Sequence, residues 1–148
     1  MPDSDSSVVF RTAARGLGRR NLTQFAHELE RRVLGGRGFC CLIADDTELS
    51  RLNRNFRRKN KATDVLSFPS GAGNGFLGDL AISLDRAESQ AAEHGHAVCD
   101  EIRILMLHGA LHLAGMDHER DGGQMARAEI RWRKSFGLPS GLIERVRR

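Results

Sequence analysis

Apolar positions along this chain fall into two rhythms, and the rhythms predict its elements. Val8 to Thr12 reads as a short first strand. Leu22, Phe25, Leu29 and Val33 then recur at three- and four-residue intervals, one face of an amphipathic helix. Asn21 stands where it can cap that helix, with Gln24 at the capping-box position, and Gly35-Gly36 ends it. Phe39 to Ala44 is a continuous apolar run and reads as a buried strand. Asp45 and Asp46 open a short helix over about Thr47 to Asn55, with Leu49, Leu52 and Phe56 inward. Asp64 to Phe68 predicts a third strand, stopped by Pro69, and Ser70 to Gly75 a glycine-rich loop. Gly78 to Ser83 is the fourth strand, and Asp85 with Glu88 can cap the helix that follows, to about His94. Cys99 to Ala114 is apolar over most of a helical circumference, which predicts a central buried helix ended by Gly115. A last long helix runs from about Gly122 to Phe136, and the tail beyond Pro139 is helical or frayed. The order of elements predicts an α+β fold: a small mixed four-stranded sheet packed with about five helices.

Composition narrows the class. The 148 residues fit one domain, 1–148, long enough to bury a core without disulfide staples. Apolar residues make up 40% and charged residues 28%, an ordinary globular balance. No apolar run approaches the roughly 18 residues of a transmembrane helix. Met1 to Ser7 is polar and acidic, without the basic start and apolar stretch of a signal peptide, so a cytoplasmic protein is expected. Cys40, Cys41 and Cys99 are odd in number and two are adjacent, which suits buried reduced thiols better than a disulfide framework or a cysteine metal site. The net charge of +4 favours anionic partners. Its placement says more: Arg51, Arg54, Arg57, Arg58, Lys59 and Lys61 follow one another with no acid between, and a second basic cluster spans Arg127 to Arg148. Aromatic residues are only 5%, with no tyrosine, so a platform for stacking single-stranded bases is not evident.

The candidate chemistry lies in His108-Gly-Ala-Leu-His112-Leu-Ala-Gly115-Met-Asp-His118. His108 and His112 are four apart on a helix and project from one face, one above the other. Gly115 lets the chain leave the helix with positive φ and turn back, so that His118 can reach the same point. Three of the chain's six histidines within eleven residues, on its most apolar helix, argue for a metal site, since unpaired imidazoles there would be costly. Neutral imidazoles suit zinc, though nickel, copper or iron also bind them. Three protein ligands leave a position open, the mark of a catalytic site. The spacing matches the metzincin peptidase pattern H-E-x-x-H-x-x-G-x-x-H, except that Gly109 stands in place of the glutamate base. Peptide hydrolysis through that glutamate is thereby argued against, and another group, or water activated by the metal, must serve.

The same segment resembles the H-G-x-L-H-L-x-G-[YM]-D-H signature of the YbeY endoribonucleases, bacterial rRNA maturation factors. Thr63-Asp64-Val65-Leu66-Ser67-Phe68-Pro69 is similar to that family's T-[ND]-V-L-S-F-P segment, Phe56-Arg57 falls where the family carries an arginine just before it, and Gly78 to Ser83 resembles its G-D-[IL]-x-I strand. The resemblance runs from about Asp45 to the last long helix. It implies a single-strand-specific, metal-dependent endoribonuclease that matures the 3′ end of small-subunit rRNA and serves ribosome quality control. By the same resemblance His108, His112 and His118 hold one zinc ion (nickel or another divalent metal being the substitute), and Arg57 is catalytic or grips RNA phosphate. Implied partners are single-stranded RNA, rRNA and the small subunit, with no membrane and no organic cofactor. Met116 stands where tyrosine is commoner in the family, and the loop Ser70 to Phe76 is short.

Other residues carry open alternatives. Asp117 orients a ligand histidine or caps the next turn. Glu101, two turns before His108, lies near the site or pairs with Arg103 or another base. Ser67 and Asp79 line the cleft or serve ordinary turn and packing roles. His27 reads as solvated, His94 and His96 as loop residues, Trp132 as core. The rival functions are a ribosome-associated RNA-binding protein with a structural zinc, another class of metallohydrolase, and a small basic RNA-binding module in which the histidines are incidental.

Overall fold

The computed structural model describes residues 6–12, 17–57, 64–71 and 75–146, the side chains of Phe56, Arg57 and Val146 excepted. The elements in chain order are β1 (Ser7–Phe10), α1 (Arg19–Glu28, continued by a π-helical turn Leu29–Val33), β2 (Gly38–Ala44), α2 (Asp46–Arg57), β3 (Val65–Pro69), β4 (Phe76–Ser83), α3 (Leu84–His94), α4 (Val98–Leu113), α5 (Gln124–Ser135) and α6 (Leu142–Val146). The sheet order is β1-β2-β4-β3. β1, β2 and β4 are parallel, and β3 runs antiparallel to β4 at the edge. This is the expected mixed sheet, with six helices among the described residues where about five were expected; the sixth is the tail beyond Pro139.

Strand alternation divides the core between two faces. Phe39, Cys41 and Ile43 of β2 and Leu80 and Ile82 of β4 meet α1 and α4 in the main cluster. Ala44, Leu66 and Ala81 point the other way and pack with Leu49 and Leu52 of α2. Helix α4 is buried nearly all round and touches β3, β4, α1, α3, α5 and α6, as its unbroken apolar character required. No described helix is long and apolar enough to cross a membrane.

Two caps fall elsewhere than the local spacing suggests. Helix α1 begins at Arg19, with Gly18 in the cap position. Asn21 lies inside the helix, where its side-chain oxygen accepts from the Arg103 guanidinium of α4. Helix α3 is capped by Ser83, whose Oγ accepts from the Arg86 N–H at 3.1 Å. Asp85 turns to the neighbouring helix and accepts from the Asp46 N–H at 2.8 Å. Asp45 caps α2 as expected, accepting from the Glu48 N–H at 2.9 Å.

Candidate metal centre

The C-terminal half of α4 supplies His108 and His112, and the chain then turns at Gly115, whose φ of 100° is open to glycine. The reversal brings His118 back to the pair. Ring centroids lie 4.8 Å apart for His108–His112 and 5.5 Å for each of the other two pairs. One nitrogen from each ring falls within 4.8 Å of the others, a group that could hold a metal ion. His108 is buried and the other two are half-buried at the edge of an open cleft of about 710 Å³.

Hydrogen bonding shows which nitrogens are available. His112 Nδ1 lies 3.0 Å from the Met116 carbonyl oxygen. A carbonyl only accepts, so Nδ1 carries the proton and Nε2 keeps its lone pair. His108 Nδ1 lies 2.7 Å from Glu129 Oε2, and a carboxylate imposes the same tautomer. His118 Nδ1 is buried with no hydrogen-bond partner among the described residues, an orphan that ligation or a proton acceptor would satisfy. Burial, followed by the neighbouring His108 ring, holds the pKa of His112 below the usual imidazole range, against the opposing pull of the Met116 carbonyl. The neutral ring so favoured is the form that binds a metal. The residues present therefore fit a divalent metal.

Around the triad the cleft draws on three more parts of the chain. Val65, Ser67 and Pro69 of β3 form one wall, Asn53 of α2 another, and Leu142 of α6 closes a corner. Ser67 thus lines the cleft. Asp79 does not: strand alternation turns it to the opposite face, into an apolar hollow with Cys40, Leu42 and Phe68, where burial pushes its carboxyl pKa up. Asp117 lines the cleft but takes the capping alternative, accepting from the Glu119 N–H at 3.1 Å and lying 3.7 Å from Arg120. Glu101 is fully buried away from the triad, paired with Arg145 and His96 in place of Arg103. Arg57 is the last residue of α2, one turn beyond Asn53, and its side chain lies outside the described residues. Arg58, Lys59, Lys61 and Thr63 also lie outside them.

Gly109 has a steric reason. A Cβ built there would stand 2.7 Å from Leu80 Cδ2 and 3.3 Å from Val65 Cγ2, so α4 lies against the sheet where a metzincin carries its glutamate. The residue that local spacing missed is Glu129. It is 0% exposed and holds His108 from α5, 21 positions along the chain. One signal pointed to it: Met125, Ala126 and Glu129 share a helical stripe, so an acid sits among core residues.

Comparison with known proteins places the chain in a family. The profile of the family described as Endoribonuclease YbeY matches residues 18–137. A protein of that name from Solibacter usitatus is 60% identical over 141 residues, covering 95% of each chain. Another from Koribacter versatilis is 47% identical over 140 residues, covering 94% of this chain and 91% of its own. A solution structure from Thermotoga maritima has the same fold, with a TM-score of 0.62 at 24% identity over 88% of this chain and 89% of that one. With that profile matching most of the chain and a relative 60% identical over 95% of it, this chain belongs to the YbeY family of endoribonucleases.

Proposed function

We propose that this chain is a zinc-dependent endoribonuclease that cuts single-stranded RNA, matures the 3′ end of small-subunit rRNA and serves ribosome quality control in the cytoplasm, with residues 1–148 working as one catalytic domain. The observation that carries the reading is the convergence of three imidazoles on one wall of an open cleft, two of them with Nδ1 bonded away so that Nε2 remains a ligand. Its relatives' names supply the class of reaction.

In this reading His108, His112 and His118 hold the ion. Zinc, when bound, polarises a phosphoryl oxygen and acidifies water. Arg57 grips the scissile phosphate through its planar fork and offsets developing charge. Its place one turn after Asn53, a cleft residue, supports that role. Arg51, Arg54, Arg58, Lys59 and Lys61 contribute a sequence-independent attraction for the RNA backbone. Asp64, Asp117 and Glu119 are the carboxylates lining the cleft and the groups from which a proton acceptor is drawn. A structural zinc is less well supported, since no fourth histidine, cysteine, aspartate or glutamate joins the cluster among the described residues.

The test joins metal analysis to cleavage of a defined single-stranded RNA. The expected result is about one zinc per chain, cleavage that a chelator abolishes, and loss of both in His112→Ala. Arg57→Glu is expected to lower RNA affinity and rate with zinc content unchanged. Zinc-loaded protein that binds ribosomes yet never cuts RNA would overturn the nuclease reading.

A further inference from the structure

Glu129 divides its carboxylate between two parts of the molecule. Oε2 accepts from His108 Nδ1 at 2.7 Å, and Oε1 accepts from the Ile143 N–H of α6 at 2.9 Å. The group is completely buried, so neither bond competes with water. Gly141, just before α6, sits directly on it: a Cβ there would lie 2.2 Å from Oε1 and 2.7 Å from Cδ. The φ of Gly141 is not in the left-handed region, so the obstacle to a side chain is Glu129 itself and not the backbone. Helix α6 is in turn held by Arg133, whose guanidinium donates two bonds to Glu144, and by Arg145, which donates two to Glu101.

We propose that Glu129 is a positioning residue for the metal centre, and that Gly141 and Ile143 of the C-terminal segment hold its carboxylate in the place that aims His108. A histidine with one nitrogen fixed by a carboxylate has its other lone pair set in direction and raised in basicity. Two donors need two acceptor oxygens. A carboxylate offers both, whereas a glutamine amide offers one and leaves a buried N–H unsatisfied. The segment from Gly141 to Arg145 thus belongs to the metal site although no metal ligand lies in it.

The inference rests on the reading of the histidines as zinc ligands, and the test separates the two. Zinc affinity is measured by chelator competition for the unmodified chain, Glu129→Gln, Gly141→Ala and, as a control in the core, Leu29→Ala. Glu129→Gln and Gly141→Ala are expected to weaken zinc binding by about 10- to 100-fold, the usual cost of disturbing a group that orients a metal-binding histidine. Leu29→Ala loosens the fold from α1, away from the cleft and from α6, and should change zinc affinity by less than about 3-fold, outside that range. In the unmodified chain, long-range proton–nitrogen correlation spectra should show His108 protonated at Nδ1 before and after zinc is added. Equal losses in all three variants would mean a general effect of stability and overturn the proposal, as would the opposite His108 tautomer. If a variant fails to fold, the tautomer in the unmodified chain still decides. An unmodified chain that binds no zinc would remove the metal reading and this inference with it. Zinc binding by the unmodified chain with unchanged affinity in Glu129→Gln and Gly141→Ala would overturn this inference alone.

Discussion

The two ends of α4 carry the same pair of groups with opposite outcomes. Near the N-terminal end His96 Nε2 lies 2.6 Å from Glu101 Oε1; near the C-terminal end His108 Nδ1 lies 2.7 Å from Glu129 Oε2. Both carboxylates are fully buried and both reach α6. The difference lies in the third partner. Glu101 also takes two bonds from the Arg145 guanidinium, which closes the group into a structural clamp. Glu129 takes a neutral backbone N–H, and the imidazole it holds turns its other nitrogen toward two more imidazoles and an open cleft. A buried carboxylate–imidazole pair is therefore no sign of chemistry in itself. What the second imidazole nitrogen faces decides.

The comparison breaks most sharply at the histidines. His108→Ala should abolish zinc binding and reduce RNA cleavage to background, while His96→Ala leaves zinc stoichiometry unchanged; equal zinc loss in both would erase the distinction. Next in size is Glu101→Gln, expected to lower unfolding free energy by about 3 kcal/mol in urea titration. That is the lower end of the cost of breaking a buried ion pair, chosen because the Arg145 side chain keeps 12% of its exposure. Acid should act on the same end. Burial alone would push the Glu101 carboxyl up, but Arg145 and then His96 outweigh it and hold it below the usual glutamate range; Arg133 does the same for Glu144. A lowered carboxylate pKa contributes stability that is complete above the unfolded value of about 4.3 and is lost as pH falls through the lower folded value. Amide protection in Leu142–Val146, taken relative to the intrinsic exchange rate at each pH, should accordingly fall below about pH 4, and protection that stays constant to lower pH would contradict the clamp. The smallest effect is Gly109→Ala. Overpacking against Leu80 costs about 1–3 kcal/mol, and the gain in helix propensity returns about 1 kcal/mol, so a modest net loss in melting temperature is expected.

Much of the site was legible because its three histidines are local. A four-residue step on a helix, a glycine and a three-residue return are statements about one stretch of backbone, and His108, His112 and His118 meet as that geometry requires. The strands and the buried central helix were legible for a similar reason, since apolar runs report burial directly. What failed depended on partners distant in sequence. Asn21 and Asp85 have the residue types of helix caps but bond to Arg103 and to the Asp46 backbone, 82 and 39 positions away. For Asp79 the sequence left two alternatives, and strand alternation decides between them by sending it to the face opposite Ser67, away from the cleft. Glu129 announced itself only as an acid in a core stripe, and nothing local connects it to His108.

The contact between Gly109 and Leu80 also bears on how such a site can diverge. Two hydrolase chemistries share this histidine spacing and differ at one codon, so a single replacement of Gly109 by glutamate would look like a short path between them. The packing obstructs that path. The first carbon of a side chain already enters the space of Leu80, and the rest of a glutamate would have to be fitted between α4 and the sheet, so Leu80 and Val65 must move with it. The two chemistries are therefore separated by a repacking of α4 against β3 and β4 as well as by residue identity.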